Sequence, residues 1–91
     1  MSDSKNLNQL VIQSNATVNE ADVLQNAIRE KLSNADGDFI LNCEGIQSCD
    51  VTFLQLIHAT RMEMKKKNKK LLIENASQSV QECASVLGFD L

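Results

Sequence analysis

Aromatic residues are almost missing from this sequence: it has no tryptophan, no tyrosine and three phenylalanines among 91 residues. Stacking platforms for single-stranded nucleic acid are therefore lacking, and a formal net charge of −3 argues further against general nucleic-acid binding. No apolar run approaches the roughly 20 residues of a transmembrane helix, and the polar start from Met1 to Asn8 lacks a signal-peptide core. The expected location is the cytoplasm, with no membrane insertion. One histidine, no glycine-rich phosphate loop and no cysteine close in sequence to a plausible base leave no recognisable catalytic set, so neither an enzyme nor a cofactor is expected. Cys43, Cys49 and Cys83 are odd in number and show no C-x-x-C spacing. With a single histidine beside them no metal site is expected, and they read as reduced thiols packed as small apolar groups.

What is present fits a folded chain. Residues 1–91 make a single domain, long enough for one core but short of a second lobe around an enzyme cleft, and an apolar fraction of 43% fits a folded globular chain. The first eight residues are polar and predicted to fray. Leu10-Val11-Ile12 then reads as a first strand, Ser14 and Asn15 as a turn, and Ala16-Thr17-Val18 as a short second strand. Asn19 is placed to cap a helix from Ala21 to Ser33, with Ala21, Leu24, Ala27, Ile28 and Leu32 on its inner face. Asp36-Gly37 is a turn signal, and Phe39-Ile40-Leu41 with Asn42 and Cys43 reads as a strand covered on both faces, broken by Gly45.

The stretch from Cys49 to Lys70 organises the rest. Asp50 is a candidate N-cap that can accept from the backbone N–H of Thr52 or Phe53, so a helix should begin at Val51 or Thr52. No proline or glycine interrupts it before the lysines, whose charge suits the C-terminal end of the helix dipole, and Asn68 tolerates the left-handed turn that ends it. A step of about 100° per residue puts Phe53, Leu56, Ile57, Thr60 and Met64 on an inner face, with Leu54 and Arg61 at its flank. Gln55, His58, Ala59, Met62, Lys65 and Lys66 face outward. Leu71-Leu72-Ile73 reads as another buried strand. Ser77 then caps a last helix with Val80, Cys83, Ala84 and Leu87 inside, ended by Gly88. Strands alternating with helices imply an α/β fold: a small mixed, mostly parallel sheet of about four strands with helices packed on it. Leu41, Leu56, Ile57, Leu72 and Ala84 are expected to be shielded from solvent.

From Phe39 onward the chain resembles the STAS domain, the fold of bacterial anti-sigma factor antagonists. That family shows a strand ending in Asp, a Gly three residues on, an apolar residue, and then Asp-Ser-Ser-Gly-Leu opening a helix; Asn42, Gly45, Ile46, Asp50 and Leu54 stand at those positions. Leu71 to Ser77 resembles the family's later strand and Asn-Pro-Ser turn. The departures are Val51, where the family carries its phosphorylatable hydroxyl, and Phe53, where it carries Gly. Thr52 is the remaining hydroxyl, one position late, and is a weak phosphoacceptor candidate. The resemblance implies a non-catalytic signalling module of partner-switching type, a monomer or weak dimer, whose partner is a kinase-like anti-sigma factor or another regulatory protein. The alternative is a small STAS subunit bound to the cytoplasmic ATPase of a lipid-transport complex. Either partner is expected on a surface made of Asp50, Thr52, Gln55, His58 and Met62, with Ser14 and Asn15 alongside.

Overall fold

Three apolar runs form the sheet of the computed structural model, which describes residues 8–91: β1 (Gln9–Val11), β2 (Phe39–Asn42) and β3 (Leu71–Glu74). All pair in parallel, in the order β1-β2-β3. Between and after them run α1 (Ala21–Asn34), α2 (Val51–Lys65) and α3 (Gln78–Leu87). The fraying expected at the start falls mostly on residues 1–7, outside the described residues. Asn8 is tied down, its Nδ2 donating to the carbonyls of Asp36 and Asp38 at 2.7 and 3.2 Å.

Strand order settles how the helices are layered. When successive parallel strands are laid down in one direction and each crossover is right-handed, every crossover helix falls on the same face of the sheet. The core accordingly joins Phe39, Leu41 and Leu71 to Leu24 and Ile28 of α1, Phe53 and Ile57 of α2, and Val80 and Ala84 of α3. The register places Gln9, Ile40 and Leu72 in one row of the other face, and Val11, Asn42 and Glu74 in the next. Two sequence expectations are corrected here. β2 is covered fully on one face and only in part on the other, where Asn42 is buried but Ile40 is half-buried, and Leu72 is 42% exposed.

The fourth strand is also absent among the described residues. Of Ala16-Thr17-Val18, Ala16 alone pairs, through one bridge to Cys49, and Val18–Glu20 coil into a 3-10 turn. The reason is competition from side chains. Thr17 and Glu20 form a capping box, Thr17 Oγ1 accepting from Asn19 N and Glu20 Oε1 accepting from Thr17 N at 3.0 Å, while Val18 N donates to Asp50. The N–H groups a strand would need are thus taken. Thr17, not Asn19, is the cap that leads into α1.

α2 keeps its expected span, ending where Asn68 takes φ 58°. Its buried arc is Phe53, Leu54, Ile57, Thr60 and Met64, so Leu54 belongs inside and Leu56 is only half-buried. Thr60 satisfies its hydroxyl within the helix, donating to the Leu56 carbonyl at 2.8 Å. In α3, Ser77 caps and Gly88 terminates as expected, at φ 67°. Leu87 is exposed, because the chain turns at Gly88 and Phe89 packs against the core in its stead.

Gly45 is required by close approach. A Cβ there would lie 2.7 Å from the carbonyl oxygen of Ile12 and 3.1 Å from Cα of Gln13, both main-chain atoms that cannot swing aside. Gly45→Ala is therefore expected to destabilise the fold by about 1 to 3 kcal/mol, in the range of overpacked sites. The check is a lowered urea midpoint at unchanged slope.

Candidate partner-binding surface

The start of α2 sits at the C-terminal edge of the sheet and is fixed by one carboxylate. Asp50 Oδ1 accepts from Thr52 N at 3.0 Å, capping α2, and Oδ2 accepts from Val18 N at 3.0 Å, holding the 3-10 turn. Ala16 adds a second tie: its N–H donates to the Ser48 carbonyl at 2.8 Å, and its carbonyl accepts from Asp50 N at 3.3 Å. Ser14 and Asn15, both exposed, are thereby brought beside the beginning of the helix. Asn42, which ends β2, is buried and accepts from Glu44 N through Oδ1 at 3.1 Å, closing the turn toward Gly45.

The outward residues fall as the helical step requires. Val51, Gln55, His58 and Met62 recur at i, i+4, i+7 and i+11 and form one exposed ridge, about 17 Å long at 1.5 Å per residue. Asp50 and Thr52 are half-buried at its upper end. Of the candidate residues, Asp50, Thr52, Ser14 and Asn15 gather at the sheet edge, while Gln55, His58 and Met62 run down from it. Two residues of this surface were not legible as such. Val51, 47% exposed, entered only as a missing phosphoacceptor, and Val18, 64% exposed, only as a strand residue. Both adjoin the Asp50 carboxylate, and the signal that marks Val18 is the Thr17-x-x-Glu20 box around it.

Charge at this edge is negative. Glu20 is held below the usual carboxylate range, first by the Thr17 hydroxyl, which donates to it at 2.7 Å, then by the Thr17 N–H, with the neighbouring Asp50 opposing. The Asp50 cap thus has a second carboxylate close by.

Of the three thiols, Cys43 is buried and Cys49 and Cys83 are half-buried. Burial pushes the Cys43 thiol up to about 11, and burial followed by the adjacent Cys83 thiol pushes Cys49 up to about 12. Both stay protonated at neutral pH, which makes them poor nucleophiles. Stability should then be insensitive to these thiols below about pH 8, where folded and unfolded forms are alike protonated. It should fall as pH rises through 9 toward 11, where the unfolded thiol ionises and the folded one does not. Cys43, fully buried, should account for about 2 kcal/mol lost by pH 11, and urea titrations in Cys43→Ala should show a correspondingly shallower alkaline decline. Among the described residues no group of three His, Cys, Asp or Glu side chains is arranged to hold a metal ion, and no helix is long and apolar enough to cross a membrane.

A family model described as "Mlab, STAS domain" matches residues 2–91. The chain belongs to the STAS family. No curated protein and no solved structure matches it. Family membership and the parallel sheet with helices on one face agree, and STAS domains commonly act as regulatory modules that bind other proteins.

Proposed function

We propose that this STAS domain is a non-catalytic module that binds a protein partner through the start of α2 and the ridge below it, and that it holds this partner without a phosphorylation switch. The observation that carries the reading is Val51. The position where the family's acceptor hydroxyl stands is exposed, yet its side chain is apolar and cannot take phosphate. Thr52 keeps a hydroxyl, but about 100° further round the helix and half-buried. Phosphoryl transfer depends on tight positioning, so a kinase built for the usual site should handle it poorly. The Glu20 and Asp50 carboxylates at the same edge would also repel a phosphate.

Of the two partner classes that the family resemblance implies, the persistent one fits better. An exposed apolar side chain at the head of the ridge suits a standing interface, such as that of a small subunit held on the cytoplasmic ATPase of a lipid-transport complex. Partner switching on a kinase-like anti-sigma factor is the second reading, supported by the cap geometry at Asp50 and the remaining hydroxyl of Thr52.

Binding is expected to fall at least about tenfold in Val51→Glu and in Met62→Glu, with little change in unfolding free energy, because both side chains are exposed and a charge would be buried unpaired in the complex. The measurement is affinity for each class of partner, with urea unfolding as control. Unchanged affinity in both variants would place the interface elsewhere. Stoichiometric phosphothreonine at residue 52 after incubation with a cognate kinase and ATP, lost in Thr52→Val, would restore the switching reading.

A further inference from the structure

The far end of α2 carries a feature that partner binding at Asp50 does not use. Residues 65–70 include five lysines, Lys65, Lys66, Lys67, Lys69 and Lys70, in a chain of net charge −3, so the rest of the chain carries −8. They occupy the last turn of α2 and the link to β3, at the N-terminal edge of the sheet. Lys65 closes the helix, Lys66 and Lys67 lie in the turn that reaches φ 58° at Asn68, and Lys69 and Lys70 lead into β3. Lys65, Lys69 and Lys70 border an open concavity floored by Leu71 and Leu72, and Leu72 is substantially exposed. Two nearby groups are already engaged. Asp38 accepts from the backbone N–H of Lys70 at 2.9 Å, and the Arg61 guanidinium donates to the carbonyls of Asp90 and Leu91 with Phe89 beneath it, 5.8 Å from ring centre to guanidinium carbon.

We propose that this lysine tip is a docking surface for an anionic lipid bilayer. Two observations select that occupant. The cations are all lysine, compact and strongly hydrated charges without the planar fork that reads one phosphate in a fixed geometry, which suits a fluid, laterally averaged negative surface. No aromatic ring is free to stack on a base, since Phe39 and Phe53 are buried and Phe89 lies under Arg61. The chain's net negative charge does not forbid the contact. α2 spans about 22 Å, nearly three times the Debye length of about 8 Å at physiological salt, so the acidic end at Asp50 and Glu20 is largely screened from a surface touching the lysines. Attraction at the tip and repulsion elsewhere give one orientation, with the α2 start turned away from the bilayer and open to its protein partner. The inference stands on the lysines and their placement, and does not rest on the reading of the Asp50 surface.

The test is vesicle co-sedimentation of the intact chain. Vesicles of phosphatidylcholine with about 30 mol% phosphatidylglycerol should bind the protein at about 50 mM salt and release it by about 300 mM, while pure phosphatidylcholine should not bind it. Each Lys→Gln substitution should weaken partitioning roughly fivefold, and replacing all five should abolish it. Replacing all five by Arg should preserve it, since charge is what counts. Lys65, Lys66, Lys67 and Lys70 are exposed and Lys69 is half-buried, and circular dichroism checks that the variants fold. Failure to bind anionic vesicles at low salt, equal binding to neutral vesicles, or binding that survives the fivefold Lys→Gln change would overturn the proposal. So would retention on immobilised poly-glutamate without vesicle binding, which would make the tip a site for acidic protein.

Discussion

Ile57→Ala is expected to cost about 3 to 4 kcal/mol of unfolding free energy, and Leu56→Ala less than half as much. The two residues are neighbours of similar size on the same helix, so the contrast isolates packing from chemistry. Ile57 is fully buried on the arc of α2 that meets the sheet, between Phe53 and Thr60 one turn either way. Truncation there removes three carbons from a closed space, and the loss includes the cavity left behind. Leu56 is half-buried beside Ala59 and Thr60, where an open groove runs between α1 and α2 past Gln25 and Leu32. Water can enter that groove, so no void is created. Because a domain of this size is stable by only about 5 to 10 kcal/mol, Ile57→Ala should leave it marginal at room temperature. Urea unfolding of both variants and of Leu54→Ala decides the matter; Leu54, 2% exposed, should resemble Ile57. Equal losses at 56 and 57 would mean that the buried arc of α2 has been placed wrongly.

The helical period found α2 but not the edges of its buried arc. Leu54 and Leu56 flank the arc on opposite sides, and periodicity alone does not say which flank meets a neighbour and which meets a groove. That depends on where α1 and α3 sit, a tertiary fact. The one-sided sheet had the same status. Right-handed crossovers were foreseeable from the alternation of strands and helices, but the consequence for Ile40 and Leu72 follows only once the strand order is known to be β1-β2-β3. A parallel strand rich in Leu and Ile reads as doubly covered in either case.

The lost second strand was a different kind of miss. Ala16-Thr17-Val18 has the β-branched composition of a strand, while Thr17-Val18-Asn19-Glu20 has the spacing of a capping box, and the two readings compete for the same residues. The box wins because it meets backbone N–H groups locally, whereas a strand here would need a partner along its whole length. Asp50 then adds a bond from 32 residues away that no local pattern predicts. The candidate surface was legible to the same degree. The outward ridge Gln55, His58 and Met62 came from the helical step and is exposed as expected, and Asp50 capped the residue assigned to it. Val18 joined the surface only through the fold.

That long-range bond makes Asp50 the polar residue with the largest expected effect. Asp50→Ala should destabilise the domain by about 3 kcal/mol, above the usual range for losing an N-cap, because it removes two bonds to a charged acceptor. One holds Thr52 N in the first turn of α2, and the other holds Val18 N in the turn that leads to α1. The two donors cannot compensate each other, since they lie on separate segments joined at this point mainly through the carboxylate and the single Ala16 to Cys49 bridge. Asp50→Asn separates the contributions. Its Oδ1 can still cap Thr52 N, a role in which asparagine equals aspartate, but its amide nitrogen would face the Val18 donor and cannot accept from it. The asparagine variant should therefore recover about 1 kcal/mol of the loss and no more. Hydrogen exchange adds a local readout. The Val18 amide should lose protection in both variants, and the Thr52 amide in Asp50→Ala alone. Protection of Val18 that persists in Asp50→Ala would show that the turn stands without the carboxylate, and Asp50 would then be an ordinary cap of α2.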